Sequence, residues 1–176
     1  IHYLLGLRRL GFEPYYVEAH ALAPSMLMEL PTDDGAERAA ALIDRTLRRF
    51  DLGGRWAFHA LHGDGRCLGL GASELRRLYR ESELILNLHG GTLPSPELAE
   101  TGRLVLVETD PVRLQIELHE GLESSISFLE AHSAYFTFAE NLGSAECGLP
   151  VSADFHQTWL PQPLPQLWSP TTQQRN

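Results

Sequence analysis

The feature of this chain that most constrains its fold is the regular alternation of helical and strand patterns along it. Over 36–50, apolar residues recur at spacings of three and four, which is typical of a helix with one buried face. Short apolar and aromatic runs typical of strands alternate with such helical segments, at 14–18, 56–61, 83–88, 103–108 and 135–139. Strands that alternate with helices are joined by right-handed crossovers into a parallel sheet covered on both faces. The sequence therefore predicts an open, mostly parallel α/β sheet with helices on both faces.

Glycine and capping residues predict where helices begin and end. The opening residues 1–11 form a helical pattern closed by a glycine, and from this start we expect further sequence upstream of Ile1. After a loop over 62–71, Ser73 is predicted to cap a helix that runs to about Ser82.

Residues 112–119 fit two patterns. Their apolar and polar residues alternate strictly, which favours a strand. However, Asp110 followed by Pro111 is a start signal for a helix, and Gly121 fits the end of one. We predict a helix here, because a strand needs no such start signal.

Composition and charge exclude several classes of partner. The 176 residues, 43% of them hydrophobic, suit one domain with a core, and 14 Lys and Arg against 23 Asp and Glu give a net charge of −9. That charge repels nucleic acid and anionic membranes, and no apolar run approaches the ~20 residues of a membrane span. Two cysteines are too few for a disulfide framework or a zinc module. We therefore expect a cytoplasmic protein with no nucleic-acid partner and no membrane span.

Polar residues and glycines follow four of the predicted strands. In open α/β sheets, ligands bind beyond the carboxyl ends of the strands, where the connecting loops form a crevice. The four groups are therefore predicted to share one rim: His62, Gly63, Asp64 and Gly65; His89, Gly90, Gly91 and Thr92; Glu108 and Asp110; Glu140 and Asn141.

The segment N-L-H-G-G-T at 87–92 carries the strongest local signal for a site. Glycines after a strand allow close approach and leave N–H groups free to face an anion or a hydroxyl. The alternative interpretation is a tight turn. A serine hydrolase is not expected, since the chain has no G-x-S-x-G motif, and a dinucleotide fingerprint fails because Leu68 stands where its third glycine belongs.

His62 and Asp64 are candidates for contact with a substrate hydroxyl. A histidine with an ordinary pKa close to neutrality, beside a carboxylate, can accept a proton. The alternative is a hydrogen bond that stabilises the loop. A joint metal site with His59 is not expected, because residues three apart in an extended segment point to opposite faces.

Ordered motifs along nearly the whole chain resemble the N-terminal, acceptor-side half of a GT-B fold glycosyltransferase. They are Y-L-L-G-L-R-R-L-G-F-E-P-Y-Y-V-E, N-L-H-G-G-T, E-T-D-P, and F-A-E-N followed by C-x-L-P and a tail with proline and tryptophan. The resemblance implies two Rossmann-like domains across a cleft, the first for the acceptor and the second for the nucleotide-sugar. This chain resembles the first alone, and the first strand with its glycine-containing loop is absent.

Carried over by position, the resemblance implies a Rossmann-like domain over 1–150 and an extended, proline-rich tail over 151–176 that leads toward the absent second domain. It implies a small-molecule or glycan acceptor, a nucleotide-sugar as co-substrate of the parent protein, and no bound metal or cofactor. The implied site residues are His62, Asp64 and His89 for catalysis, and Gly90, Gly91, Thr92, Asp110, Glu140 and Asn141 for substrate binding.

The resulting expectation is the acceptor half of a nucleotide-sugar-dependent glycosyltransferase that is inactive alone. One alternative is a non-catalytic ligand-binding or interaction module of Rossmann-like fold. A second alternative is a metal-assisted hydrolase built on the histidines.

Overall fold

The computed structural model describes residues 1–19 and 22–158, and these form an α/β fold of the Rossmann-like type. The helices of this part of the chain are α1 His2–Arg9, α2 Gly35–Arg48, α3 Ala72–Glu81, α4 Pro96–Ala99, α5 Val112–His119 and α6 Glu123–Glu130, with a 3-10 turn at Ser25–Leu27. The strands are β1 Tyr16–Ala19, β2 Trp56–His59, β3 Cys67–Gly69, β4 Ile85–Leu88, β5 Leu104–Glu108, β6 Ala134–Thr137 and β7 His156–Gln157.

The strands form two sheets. One has the order β1-β2-β3, with β1 parallel to β2 and β3 antiparallel to it; the other has the order β4-β5-β6-β7 and is parallel throughout. The prediction that the strands at 56–61, 83–88, 103–108 and 135–139 are neighbours in one sheet is therefore wrong for the first of them. That strand pairs with β1 and β3, and sequence pattern carries no information about which strand is its neighbour.

Two hydrophobic clusters lie on opposite faces of β2. On one face, Leu4 of α1 and Ile43 of α2 pack with Trp56 and Phe58. On the other face, Ala57 packs with residues of α3, α4 and β5, namely Leu75, Tyr79, Leu98 and Leu104, and with the partly buried Val17 and Ile85. This second cluster joins the two sheets, because its members come from both of them. Each fully buried apolar side chain of this size stabilises the fold by ~1.5–3 kcal/mol.

The predicted helix over 112–119 is confirmed, but its predicted start is wrong. Pro111 occupies the N-cap position, and the first backbone bond of α5 runs from the Gln115 N–H to the Pro111 carbonyl at 2.8 Å. Asp110 lies one residue before the N-cap, where its backbone N–H donates to Glu108 Oε1 at 3.0 Å. The structure therefore gives Asp110 no capping role.

The start of α3 also differs from the prediction. Gly71, not Ser73, is the N-cap, and its N–H donates to Glu74 Oε2 at 2.9 Å. The carboxylate three residues into the helix satisfies the N-cap donor without any hydroxyl.

The antiparallel strand β3 lies inside the segment predicted as a loop over 62–71. It forms because 60–66 is a tight hairpin in which the Ala60 N–H donates to the Arg66 carbonyl at 3.0 Å. Gly69 has φ +81° and lies against Trp56, so that a Cβ at Gly69 would stand 2.4 Å from the Trp56 carbonyl oxygen. Only glycine allows β3 to approach β2 this closely.

The chain returns to the sheet after residue 150. His156–Gln157 pairs in parallel with β6, and Phe155 packs against the cluster of Leu106, Leu114 and Leu129. The rest of the expected tail, 159–176, lies outside the described residues. In the part of the chain that the structure describes, no helix has the length and apolarity needed to cross a bilayer.

Candidate functional site

A cleft of about 460 Å³ lies at the strand ends, between the two sheets. Ala19 and His59, the last residues of β1 and β2, line this inter-sheet cleft together with Thr92 and Leu93 from the loop after β4. The carboxyl ends of β1 and β2 and the loop after β4 therefore line the same cleft, although the three strands belong to two sheets. In open α/β folds this is where ligands bind.

The inter-sheet cleft carries a few polar groups among apolar ones. His59, Cys67, Arg76, Tyr79 and Thr92 line it beside leucine and alanine side chains. Burial raises the pKa of the Cys67 thiol, although the positive charge of Arg76 acts to lower it. Burial, with smaller contributions from Cys67 and a nearby carboxylate, raises the pKa of the Tyr79 phenol to about 12. At neutral pH the thiol and phenol are thus neutral hydrogen-bonding groups.

The H-G-G-T loop after β4 is closed by the side chain of Asn87, which is only 5% exposed. Asn87 Nδ2 donates to the Thr92 carbonyl at 2.9 Å, and the Thr92 N–H donates to Asn87 Oδ1 at 3.3 Å. Both bonds lie between the same two residues, so they fix the chain reversal over 88–91. Thr92 is in this way held at the wall of the inter-sheet cleft.

A buried histidine holds Asn87 in turn. His132 is 4% exposed, and its Nε2 lies 3.0 Å from Asn87 Nδ2. Its Nδ1 lies 2.9 Å from the Phe128 carbonyl, which can only accept, so Nδ1 carries the proton and Nε2 accepts from Asn87. Burial lowers the pKa of His132, which favours this neutral form.

The reversal needs left-handed backbone at two consecutive residues. His89 has φ +60° and Gly90 has φ +62°. A Cβ on Gly90 would lie 3.2 Å from Phe128 Cζ, whereas a Cβ on Gly91 would meet only the Leu88 carbonyl at 3.5 Å. The tight-turn interpretation therefore accounts for Gly90. No comparable steric restriction requires glycine at position 91.

His89 is exposed and links two strand ends. The ring Nδ1 of His89 lies 2.7 Å from the Thr109 hydroxyl oxygen. The backbone N–H of His89 donates to the Val107 carbonyl at 2.9 Å. The imidazole thus stands at the boundary between the H-G-G-T loop and the end of β5.

Three of the predicted substrate-binding residues meet in a second, smaller pocket of about 300 Å³, whereas Gly90 and Gly91 line neither this pocket nor the inter-sheet cleft. Asp110, Glu140 and Asn141 line this β5–β6 pocket together with Thr109 and apolar residues. Glu108 Oε1 accepts from the Thr109 and Asp110 N–H groups at 2.8 and 3.0 Å, which shapes one wall.

The hairpin after β2 places Asp64 against Arg66. The Asp64 carboxylate accepts from the Arg66 N–H at 3.1 Å and from its guanidinium at 3.0 Å, and the same guanidinium contacts Asp34. The backbone hydrogen bond and then the guanidinium hold the pKa of Asp64 below its ordinary value. The ring of His62 meets that of Phe58 edge-on, with 6.2 Å between centroids. These contacts match the loop-stabilising alternative for Asp64.

The expected single rim is therefore divided. Thr92 lies in the inter-sheet cleft, whereas Asp110, Glu140 and Asn141 lie in the β5–β6 pocket. His89 lines neither, but it contacts Thr109 of the β5–β6 pocket. Sequence reasoning missed His132, which carries no local signal. It also missed Asn87, although a polar residue in the apolar run I-L-N-L is itself a signal that a buried partner is present.

Within residues 1–19 and 22–158, no three or more His, Cys, Asp or Glu side chains are grouped so that they could hold a metal ion. Neither a family model, nor a curated protein, nor a solved structure matches the chain.

Proposed function

We propose that this chain is the acceptor-binding half of a nucleotide-sugar-dependent GT-B glycosyltransferase, with a small-molecule or glycan acceptor bound in the inter-sheet cleft. The observation that supports this best is the convergence of the carboxyl ends of β1 and β2 and the loop after β4 on one cleft. Its volume of about 460 Å³ is of the size that holds a small ligand. The H-G-G-T motif on which the resemblance rests supplies Thr92 to the same cleft.

The lining suits a ligand that carries hydroxyl groups. The Thr92 hydroxyl, the Tyr79 phenol and the His59 imidazole can each donate or accept a hydrogen bond, and the leucines can cover the apolar face of a sugar ring. In a transfer reaction, an acceptor oxygen bonds to the anomeric carbon of the donor, its proton passes to a base, and the nucleoside diphosphate leaves. His59 is the candidate base in this cleft, because an unprotonated imidazole nitrogen can accept that proton.

Catalysis by positioning requires both reactants in one cleft, so the chain alone is expected to bind an acceptor without turning over a nucleotide-sugar. Glucose, N-acetylglucosamine and maltose serve as acceptor probes, and UDP-glucose serves as the donor probe. In an NMR titration of the isotope-labelled chain, at least one saccharide should cause saturable shifts of the amide signals of Cys67, Tyr79 and Thr92.

The matched variants are His59→Ala in the cleft and His119→Ala on the exposed end of α5. The first should weaken saccharide binding several-fold and the second should leave it unchanged. Saturable shifts confined to other residues, or none at millimolar saccharide, would contradict the proposal. So would sugar transfer by the 176-residue chain with UDP-glucose.

One observation favours the alternative of a non-catalytic ligand-binding module. Asp64, a predicted partner in proton transfer, is engaged by Arg66 on the hairpin. On this proposal, a parent protein that carries both domains separates the two functions. Loss of transfer in its His59→Ala variant supports the transferase, whereas binding without any transfer supports the module.

A further inference from the structure

Tyr79 of α3 has a phenol hydroxyl without an internal partner. The residue is 9% exposed and lines the inter-sheet cleft. Among residues 1–19 and 22–158, nothing forms a hydrogen bond with this hydroxyl, and its oxygen is not sealed from solvent. Buried tyrosine hydroxyls usually have a hydrogen-bond partner, because an unpaired polar group in the interior costs free energy. The Tyr79 hydroxyl is therefore available to a ligand in the cleft.

Arg76, one turn earlier on α3, lines the same cleft. Its neighbour Arg77 is paired, with Nε 3.9 Å from Glu81 Oε2, but no carboxylate in the part of the chain that the structure describes pairs with Arg76. The positive charge of Arg76 acts instead on the Cys67 thiol in the cleft. The Arg76 guanidinium is therefore placed to attract a negative group from inside the cleft.

The charges around the cleft do not cancel that of Arg76. Glu97 is the one carboxylate among the described residues that line the cleft, and its Oε1 lies 3.8 Å from Arg80 Nη1. Arg80 therefore compensates Glu97, whereas Arg76 is left without a counter-charge. This local positive charge stands out in a chain with a net charge of −9.

The two groups lie close enough to hold one ligand group together. Residues three apart on a helix are neighbours on one face, so Arg76 and Tyr79 approach the cleft side by side. Solvation alone explains an exposed arginine on a helix. It does not explain a buried hydroxyl without a partner next to that arginine.

We propose that the acceptor bound in the inter-sheet cleft is a sugar acid, whose carboxylate is held by the Arg76 guanidinium and the Tyr79 hydroxyl; this inference rests on the function proposed above. A guanidinium donates two parallel hydrogen bonds to a carboxylate, and the phenol O–H donates a third. One uncompensated cation matches the single charge of a carboxylate, whereas a phosphate monoester carries roughly −1.5 to −2 at neutral pH.

The test compares glucuronate with glucuronamide, which differ in charge but hardly in size or shape. Both are titrated into the isotope-labelled 176-residue chain and followed by NMR through the amide signals of Cys67, Tyr79 and Thr92. Glucuronate should bind about five- to tenfold more tightly, because hydrogen bonds to an ionised group are roughly twice as strong as neutral ones. This preference should shrink as salt is added, since salt screens charges near the surface.

The matched variants are Arg76→Gln and Arg77→Gln, which remove the same charge from the same helix, inside and outside the cleft. The first should abolish the preference for glucuronate and the second should keep it. Tyr79→Phe should weaken glucuronate binding several-fold without lowering the urea midpoint, because its hydroxyl has no internal hydrogen bond to lose.

Saturable shifts in the cleft with equal affinity for glucuronate and glucuronamide would overturn this inference and leave the proposed function standing. No shift there with any saccharide would overturn both. Loss of the preference in Arg77→Gln would assign it to the general charge of α3, and a lower urea midpoint in Tyr79→Phe would show that the hydroxyl has an internal partner; either result overturns the inference. Tighter binding of glucose 6-phosphate than of glucuronate would overturn the choice of a carboxylate.

Discussion

The loops that follow β2 and β4 both carry a histidine and glycines, yet they are held in different ways. The loop after β2 is tied by charged groups at the surface, with Asp64 and Asp34 on either side of Arg66. The loop after β4 is tied by neutral groups in the interior, through Asn87 and His132. Exposed ion pairs contribute little to stability, whereas a buried polar network costs much if one member is lost. Loops with similar sequences after a strand can therefore be stabilised by interactions of very different strength.

The largest expected effect comes from Asn87→Leu, which keeps the size of the side chain and removes its polar atoms. His132 Nε2 and both main-chain groups of Thr92 would then lose their partner. We expect the free energy of unfolding, from urea titration, to fall by ~2–4 kcal/mol, since each buried polar group left unsatisfied costs ~1–3 kcal/mol. The exposed Asn141→Leu is the control and should change it little. Equal losses from both variants would show that the network is not what holds this loop.

A smaller effect is expected from Gly90→Ala compared with Gly91→Ala. At Gly90 the new methyl group meets a left-handed backbone and Phe128 Cζ at 3.2 Å, which should cost ~1–2 kcal/mol in thermal or urea unfolding. At Gly91 the nearest atom lies at an ordinary 3.5 Å, so its variant should stay close to the parent protein. If Gly91→Ala were the more destabilising variant, the assigned geometry of the reversal would be wrong.

The smallest expected effect is a difference in how the stability of the two loops depends on pH. Burial lowers the pKa of His132 in the folded state, so the unfolded chain binds more protons below the ordinary value of 6.5. The stability associated with neutral His132 is then complete above pH 6.5 and is lost as pH falls toward the folded pKa.

Asp64 should act in a lower window of pH. Its folded pKa lies below the ordinary 3.8, so its contribution is present above pH 3.8 and is lost below it. Urea midpoints should therefore fall first as the pH drops below 6.5, in a step that His132→Gln reduces and Asp64→Asn does not. A step in this window that survives His132→Gln would assign it to another histidine.

Several elements of this fold could be predicted from local pattern. The spacing in 36–50 predicts α2, and the start signal before 112–119 predicts α5 against a competing strand period. The missed strand β3 shows the limit, since its pairing depends on a contact between Gly69 and Trp56 that no local pattern contains. The site shows the same limit of local pattern. Thr92 could be expected after a strand, but its link through Asn87 to His132, 40 residues further along the chain, could not.

The alternation of helices and strands and the glycines that permit reversals follow from local sequence, because periodicity and backbone freedom act over a few residues. The division of the strands into two sheets with end strands at β1 and β4 depends on tertiary contacts, since strand pairing joins distant segments. The tertiary structure also decided which histidine is buried and neutral and which is exposed. His132 and His89 are the same residue type, and their different roles come from the packing around them.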